Sequence, residues 1–400
     1  MTMLARRLGS FAVVVAMPAA AGLVAVSTIA HRAGPEAFLA LALGQSVGTI
    51  AAIIAGTGWE LSGPARVAAQ PERGAGLLAL SLRMRRRTAL ATLPLLVLAC
   101  VLLAPERPLL ATLAGLSALL TSLNPSWYLV GLGRPRVIMQ VDTLPRSGAA
   151  LAAAAMIALG APVWIYPASS LLAVATAYVV FYQRKATMPG PTSAVGLKGS
   201  QALRSTIVML VATIYSSAAL PLVQIFAPGA AAGFAASYRL LTYWNLSIIA
   251  SGNALQQWTA GTPKEPWRRL RQALGVLSIQ GLVLGGALAA TGPFVAHLLF
   301  GHDLVAPPTT FFLLGAAFAS ICVGTWVQRL VLVPAGREDL LLRANLLAAT
   351  VGVIGIALLA PTAGATGAAV AILLAELAIV VPLIPAAVST SRRRPVLARP

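Results

Sequence analysis

Long apolar stretches recur along the chain, separated by short connections rich in Gly, Pro or charged residues. A helix that crosses a bilayer needs about 20 apolar residues at roughly 1.5 Å rise each, and most of the stretches approach that length. In chain order the pattern predicts spans near 8–30, 37–58, 88–104, 109–130, 147–161 and 163–182. Six more follow near 205–226, 234–258, 273–293, 310–333, 344–360 and 366–388. The first run, after Arg6-Arg7, exceeds the roughly 7 to 15 residue core of a cleaved signal peptide, so it is read as span one. The expectation is an all-α polytopic membrane protein of about twelve transmembrane helices.

The polar connections orient this ladder. Of the 29 Lys and Arg residues, only Arg32 and Arg107 fall in connections on one side, and Arg239 falls inside a span. The rest sit on the other side: Arg6 and Arg7, the 59–87 connection ending Arg83-Met84-Arg85-Arg86-Arg87, then 131–146, 183–204, 259–272, 329–343 and the Arg392-Arg393-Arg394 tail. Positively charged connections stay in the cytoplasm, which places both termini there. Trp59, Trp127, Trp164 and Trp258 fall at predicted span ends, where indoles favour the headgroup level. Within 59–87, Leu77, Leu78, Leu80, Leu82 and Met84 alternate with the arginines, which predicts an interfacial helix against phospholipid leading into span three.

Composition agrees with lipid as the solvent: 58% hydrophobic, 10% charged, mean hydropathy +0.85, against about 25% charged for soluble domains. The net charge of +19 is clustered beside apolar runs and speaks for membrane lipids rather than nucleic acid. Cys100 and Cys322 lie inside apolar runs and imply no disulfide framework. His31, His297 and His302 lack metal-ligand spacing, and no G-x-x-x-x-G-K-[ST] loop is present. Outer acidic residues are limited to Glu36, Glu106 and Asp303, so general acid–base pairing is not visible. The chain is therefore read as a non-enzyme without cofactor or metal.

The segment 183–204 joins two sets of six spans and contains Pro189-Gly190-Pro191-Thr192-Ser193, a linker composition. The expected domains are a six-helix lobe 1–182, the linker 183–204, a second six-helix lobe 205–388 and a basic tail 389–400. Gly34-Pro35-Glu36-Ala37-Phe38-Leu39-Ala40 matches the stretch from Pro228-Gly229 through Phe234-Ala235-Ala236, and aligning Phe38 with Phe234 brings span one onto span seven. Equal orientation of both copies is the parallel-repeat plan, with a substrate path between two bundles.

Ionisable groups at mid-bilayer cost about 2.5 to 3.5 kcal/mol on insertion scales and face a cavity or a partner. Arg239 in span eight and Glu376 in span twelve are such residues. Arg239 is read either as lining a cationic cavity for an anionic substrate such as a diphosphate, or as snorkelling or pairing with Glu376. Glu376 is read either as helix glue or as a proton-coupling group. Gln45, Tyr215 and Asn245 are further polar residues within spans, together with Asn124, Asn253, Gln256 and Gln328; interhelical hydrogen bonding is their alternative role. Arg32, on the outer side, completes the substrate-cavity candidates. Pro125, Pro167, Pro221 and Pro382 permit kinks.

Several local patterns resemble the polysaccharide transporter, O-antigen flippase-like branch of the multidrug, oligosaccharidyl-lipid and polysaccharide exporter superfamily. They are Gly34-Pro35-Glu36-Ala37-Phe38, Asn124-Pro125-Ser126-Trp127-Tyr128-Leu129-Val130-Gly131 and Phe234-Ala235-Ala236-Ser237-Tyr238-Arg239-Leu240. Leu299-Phe300-Gly301 and Gly364-Ala365-Thr366-Gly367-Ala368-Ala369 with Glu376 complete the set. The resemblance implies two six-helix lobes around a central cavity and alternating-access movement of a lipid-linked oligosaccharide across a bacterial cytoplasmic membrane. It implies a cationic cavity residue, which maps onto Arg239, and partners such as a glycan polymerase or glycosyltransferases. The alternatives are a small-molecule or drug antiporter of the same superfamily, and a membrane-embedded enzyme or scaffold of cell-surface glycan assembly.

Overall fold

The computed structural model describes residues 2–186, 199–260 and 266–393. The proline-rich part of the predicted linker, Lys264 and the tail beyond residue 393 lie outside the described residues. Two compact units, Met1–Leu210 and Val211–Pro400, divide the chain. The first holds α1 (Thr2–Gly56), α2 (Trp59–Ala69), α3 (Gly74–Leu103), α4 (Pro108–Leu120), α5 (Ser126–Gly131), α6 (Pro135–Ile138), α7 (Leu144–Ala158) and α8 (Ile165–Ala186). The division falls within α9 (Gly199–Phe226), and the second unit continues with α10 (Pro228–Ala260), α11 (Pro266–Phe300), α12 (Pro308–Thr325) and α13 (Glu338–Arg393).

At 55 and 56 residues, α1 and α13 are each more than twice the length of one crossing, roughly 80 Å against a hydrocarbon layer of about 30 Å. Both are bent where a glycine takes a backbone conformation that other residues avoid: Gly34 at φ 79°, ψ −175° and Gly364 at φ 56°, ψ −132°. Each therefore supplies two of the spans read from the sequence. Seven helical stretches among the described residues are long and apolar enough to cross a membrane, and two of them, Ala16–Gly56 and Asp339–Ser391, contain these bends.

The outer faces carry the apolar side chains that lipid requires. Leu90, Leu95, Leu98 and Leu102 project from α3 and Ile279, Leu282 and Val283 from α11, with Leu282 72% exposed. Apolar surface gains nothing by helix association in lipid, so close packing of small residues holds the helices together instead. In the first unit a Cβ on Gly44 would lie 2.0 Å from the Ala111 carbonyl oxygen, and one on Gly48 would lie 2.3 Å from that of Gly115. In the second unit the seam is α11 against α12, where Gly285 and Gly315 face each other's carbonyls at 2.5 and 2.3 Å on the same measure. Phe38 and Phe234, aligned in the sequence, are fully buried, one in each unit.

The helix expected from Leu77 to Met84 leading into span three is present as the start of α3, which runs unbroken from Gly74 through the arginine run, and α2 forms separately before it. Trp59 and Trp127, at predicted span ends, are buried with Val67, Leu77, Leu78 and Tyr128 in one core, their rings 5.1 Å apart. Span four breaks at Asn124, whose ψ is 126°. Pro125 cannot continue the backbone ladder, and the freed carbonyls are capped from outside. Tyr182 Oη donates to Leu123 O at 2.8 Å and Arg85 Nη1 to Asn124 O at 3.1 Å.

Candidate functional site: a carboxylate cavity in the second unit

Inside the second unit lies a cavity of about 390 Å³ walled by α9, α10, α12, α13 and the wide π-type turn Trp326–Leu332 that follows α12. Its polar lining comprises Tyr215, Ser216, Tyr238, Asn245, Gln328, Arg329, Asn345 and Glu376; Leu241, Ile248, Ile321, Ile372 and Ile379 supply much of the apolar wall.

Glu376 is the residue that sets the chemistry. Its neighbours Ala375 and Ala371 are fully buried, so the helix face that carries it packs inward, and the side chain is only 8% exposed. Tyr215 Oη donates to Glu376 Oε1 at 2.7 Å, bridging residues 161 positions apart. Gly352 makes room for this contact, because a Cβ there would stand 3.0 Å from the Tyr215 Cβ. Tyr238 stacks on Phe234 at 5.3 Å and donates to Ser216 O at 3.0 Å, which fixes its ring beside the carboxylate site.

The widened turn builds the other wall. Trp326 Nε1 donates to Leu270 O at 2.7 Å, anchoring the turn to α11. Arg329 Nε donates to Gln256 Oε1 at 3.0 Å, and its Nη2 bonds Asn253 Oδ1, so two α10 amides hold the guanidinium. π-type turns interrupt the regular helical ladder and recur at functional sites. Asn245 Oδ1 is buried without a hydrogen-bond donor, leaving an acceptor available to a ligand that carries N–H or O–H groups.

The structure thus brings Tyr215, Asn245 and Glu376 to one cavity. Arg239, half-buried on α10, is outside its lining, and the bond shown for Glu376 comes from Tyr215 rather than from Arg239. Gln45 and the exposed Arg32 belong to the first unit. Arg329 and Asn345 were not singled out as cavity residues: each sits near the basic ends of spans, where the charge pattern reads as connection. The signal for Arg329 is its setting, Trp326-Val327-Gln328-Arg329-Leu330-Val331-Leu332, apolar on both sides.

The first unit contains a related but closed arrangement. Asp142, on the π-type turn Met139–Thr143, accepts from Arg146 Nη2 at 2.6 Å and from Tyr178 Oη at 2.7 Å on the same oxygen. Among the described residues no group of three or more His, Cys, Asp and Glu could hold a metal ion.

No protein-family profile matches the sequence, and no curated protein matches it. Solved structures do. An inward-facing multidrug resistance MATE family transporter of the MOP superfamily superposes with a TM-score of 0.69 at 16% identity, over 95% of this chain and 98% of that one. A MOP superfamily transporter from Pyrococcus furiosus, for which reverse polarity of the binding pocket suggests a different function, gives 0.65 at 15% identity, over 97% and 95%. A eukaryotic MATE transporter gives 0.55 at 13% identity, over 97% of both chains. These neighbours are transporters, not enzymes, and two of the three are MATE members rather than the polysaccharide branch expected from the sequence. The protein is a multi-pass membrane protein with the all-helical fold of the MATE transporters of the MOP superfamily.

Proposed function

We propose that the protein is a proton-coupled antiporter that exports small, largely apolar organic molecules across a bacterial cytoplasmic membrane. The observation that carries this reading is Glu376: a single carboxylate, buried in a spanning helix, bonded to one tyrosine hydroxyl and facing a cavity. Buried ionisable groups inside the membrane mark ion or substrate paths. A carboxylate that binds a proton on one side of the membrane and releases it on the other converts a pH gradient into work on the cargo. About 390 Å³ lies within the range of drug-sized sites, about 300 to 1,000 Å³, and is far below the volume of a lipid-linked oligosaccharide. The MATE-like fold supports the same reading, since the first of the neighbours above is a multidrug resistance transporter. The arginine asymmetry supports cytoplasmic termini.

A second reading, flipping of a lipid-linked glycan precursor, is favoured by the Asn124–Gly131, Phe234–Leu240 and Gly364–Ala369 patterns and by Arg239 as a contact for a diphosphate. One reconstitution separates the two. Proteoliposomes containing the full chain are loaded with a fluorescent organic cation and given an outward or inward pH gradient, and a parallel set carries a fluorescent lipid-linked sugar. Gradient-driven movement of the dye, lost in Glu376→Gln, supports the antiporter. Movement of the lipid-linked sugar alone, abolished in Arg239→Ala with normal expression, supports the flippase.

A further inference from the structure

The first unit holds a cluster of buried hydrogen-bond donors that nothing in the transport reading uses. Arg85 is fully buried on α3, and only its Nη1 is satisfied, by Asn124 O; its Nε and Nη2 have no acceptor. The indole Nε1 atoms of Trp59 and Trp127 and the Thr57 hydroxyl are likewise buried without partners. Thr57 and Trp59 stand at the N-terminus of α2, with Trp127 packed on Trp59 at 5.1 Å; this eleven-residue helix has no side-chain cap on its first turn and is approached through Thr57 at φ 50° and Gly58 at φ 70°. Arg85 Nη2 lies 3.9 Å from Glu60 in that turn, too far for a hydrogen bond.

Every one of these groups can donate, and each carries a desolvation cost while unmet. A ligand that relieves them all must offer several acceptors and no donors, and it gains further from an uncapped helix N-terminus, which favours negative charge. Oxyanions have that chemistry. Glu60, 52% exposed, already occupies the rim of this position as a loosely held anion that a better acceptor displaces into solvent.

We propose that this junction of α2, α3 and α5 binds the phosphate of an anionic phospholipid headgroup. The surroundings select a lipid over a free ion. Between Thr57 and Thr88 the chain carries Arg66, Arg73, Arg83, Arg85, Arg86 and Arg87 against Glu60 and Glu72. Arg83, Arg86 and Arg87 are exposed at the foot of the α3 face that presents Leu90, Leu95 and Leu98 outward. Those exposed arginines hold anionic lipid at the surface of α3 and so raise the supply of headgroups beside the junction.

The test uses the full-length protein in an uncharged detergent, titrated with dioctanoyl-phosphatidylglycerol, with dioctanoyl-phosphatidylcholine and inorganic phosphate as separate arms, and binding followed by thermophoresis. Saturable binding of the phosphatidylglycerol is expected, tightened about threefold in Glu60→Gln, which removes the competing charge, and weakened about threefold or more in Trp59→Phe, which removes one N–H and keeps the ring. Glu60 is exposed, so Glu60→Gln folds regardless of the outcome. Phosphatidylglycerol binding no tighter than phosphatidylcholine, or affinities unmoved in both variants, overturns the site. Equal affinity for inorganic phosphate overturns the lipid as its occupant.

Discussion

Both units bond a tyrosine hydroxyl to a carboxylate at 2.7 Å, Tyr178 to Asp142 in the first and Tyr215 to Glu376 in the second, yet the two pairs have opposite consequences. Asp142 also receives Arg146 at 2.6 Å, so its charge is balanced by the neighbouring cation. Glu376 has a tyrosine beside it and a cavity in front of it. A neutral donor stabilises the carboxylate without cancelling its charge, which is the property that the proposed proton coupling uses. One carboxylate is bonded to a cation as well as a tyrosine, and the other meets a tyrosine at the wall of a cavity; in the proposed mechanism the second is the one that exchanges a proton.

The largest expected effect follows directly. Glu376→Gln keeps shape and hydrogen bonding to Tyr215 but cannot exchange a proton, so gradient-driven transport in proteoliposomes falls by about a hundredfold or more, in line with loss of an essential proton-transfer group, while thermal stability stays near wild type. Asp142→Ala does the reverse. It strands Arg146, and breaking such a pair costs about 3 kcal/mol, at the low end because Arg146 keeps 30% of its side chain exposed. A melting curve of the purified protein should show the loss while transport by the remaining folded fraction persists.

Next in size is the helix seam. Gly315→Ala places a Cβ 2.3 Å from the Gly285 carbonyl oxygen, which forces α11 and α12 apart and costs about 1 to 3 kcal/mol, read as a lower melting temperature. Tyr215→Phe removes the one hydroxyl bonded to Glu376; hydrogen bonds to charged groups are worth about 1.5 to 3 kcal/mol, so transport should slow by about tenfold without loss of fold. The smallest effect belongs to Trp326→Phe. It loses the bond to Leu270 O, about 1 kcal/mol, and loosens the turn that carries Gln328 and Arg329.

Much of the helical ladder was legible in the sequence because lipid imposes one requirement on every span, about 20 apolar residues, and that requirement is written locally. The span boundaries at Gly34-Pro35 and Gly364 were legible for the same reason, but not that the helix bends there rather than ending. Glu376 was legible because an acid among Leu374, Ala375 and Leu377 is costly unless something receives it. What receives it was not, since Tyr215 lies 161 residues away and only packing brings α9 to α13. Depth alone left Arg239 open between lining a cavity, snorkelling and pairing with Glu376, because depth places residues at a level while rotation about each helix decides which ones meet. Arg85 was hidden differently. In the run Arg83-Met84-Arg85-Arg86-Arg87 all four arginines look like headgroup anchors, yet helical rotation turns Arg85 into the core while its neighbours stay exposed. Trp59 and Trp127 fall at span ends in the sequence, but their packing against each other in one core joins positions far apart in the chain and could not be read locally.

The central claim is that Glu376 carries the proton that drives transport. The most direct measurement is proton flux in proteoliposomes on addition of transported dye, recorded with an internal pH probe for wild type and Glu376→Gln at equal protein density. The account predicts dye-dependent proton movement in wild type and none in Glu376→Gln, with the variant still folded and still binding dye. Proton movement of wild-type size in Glu376→Gln would contradict it.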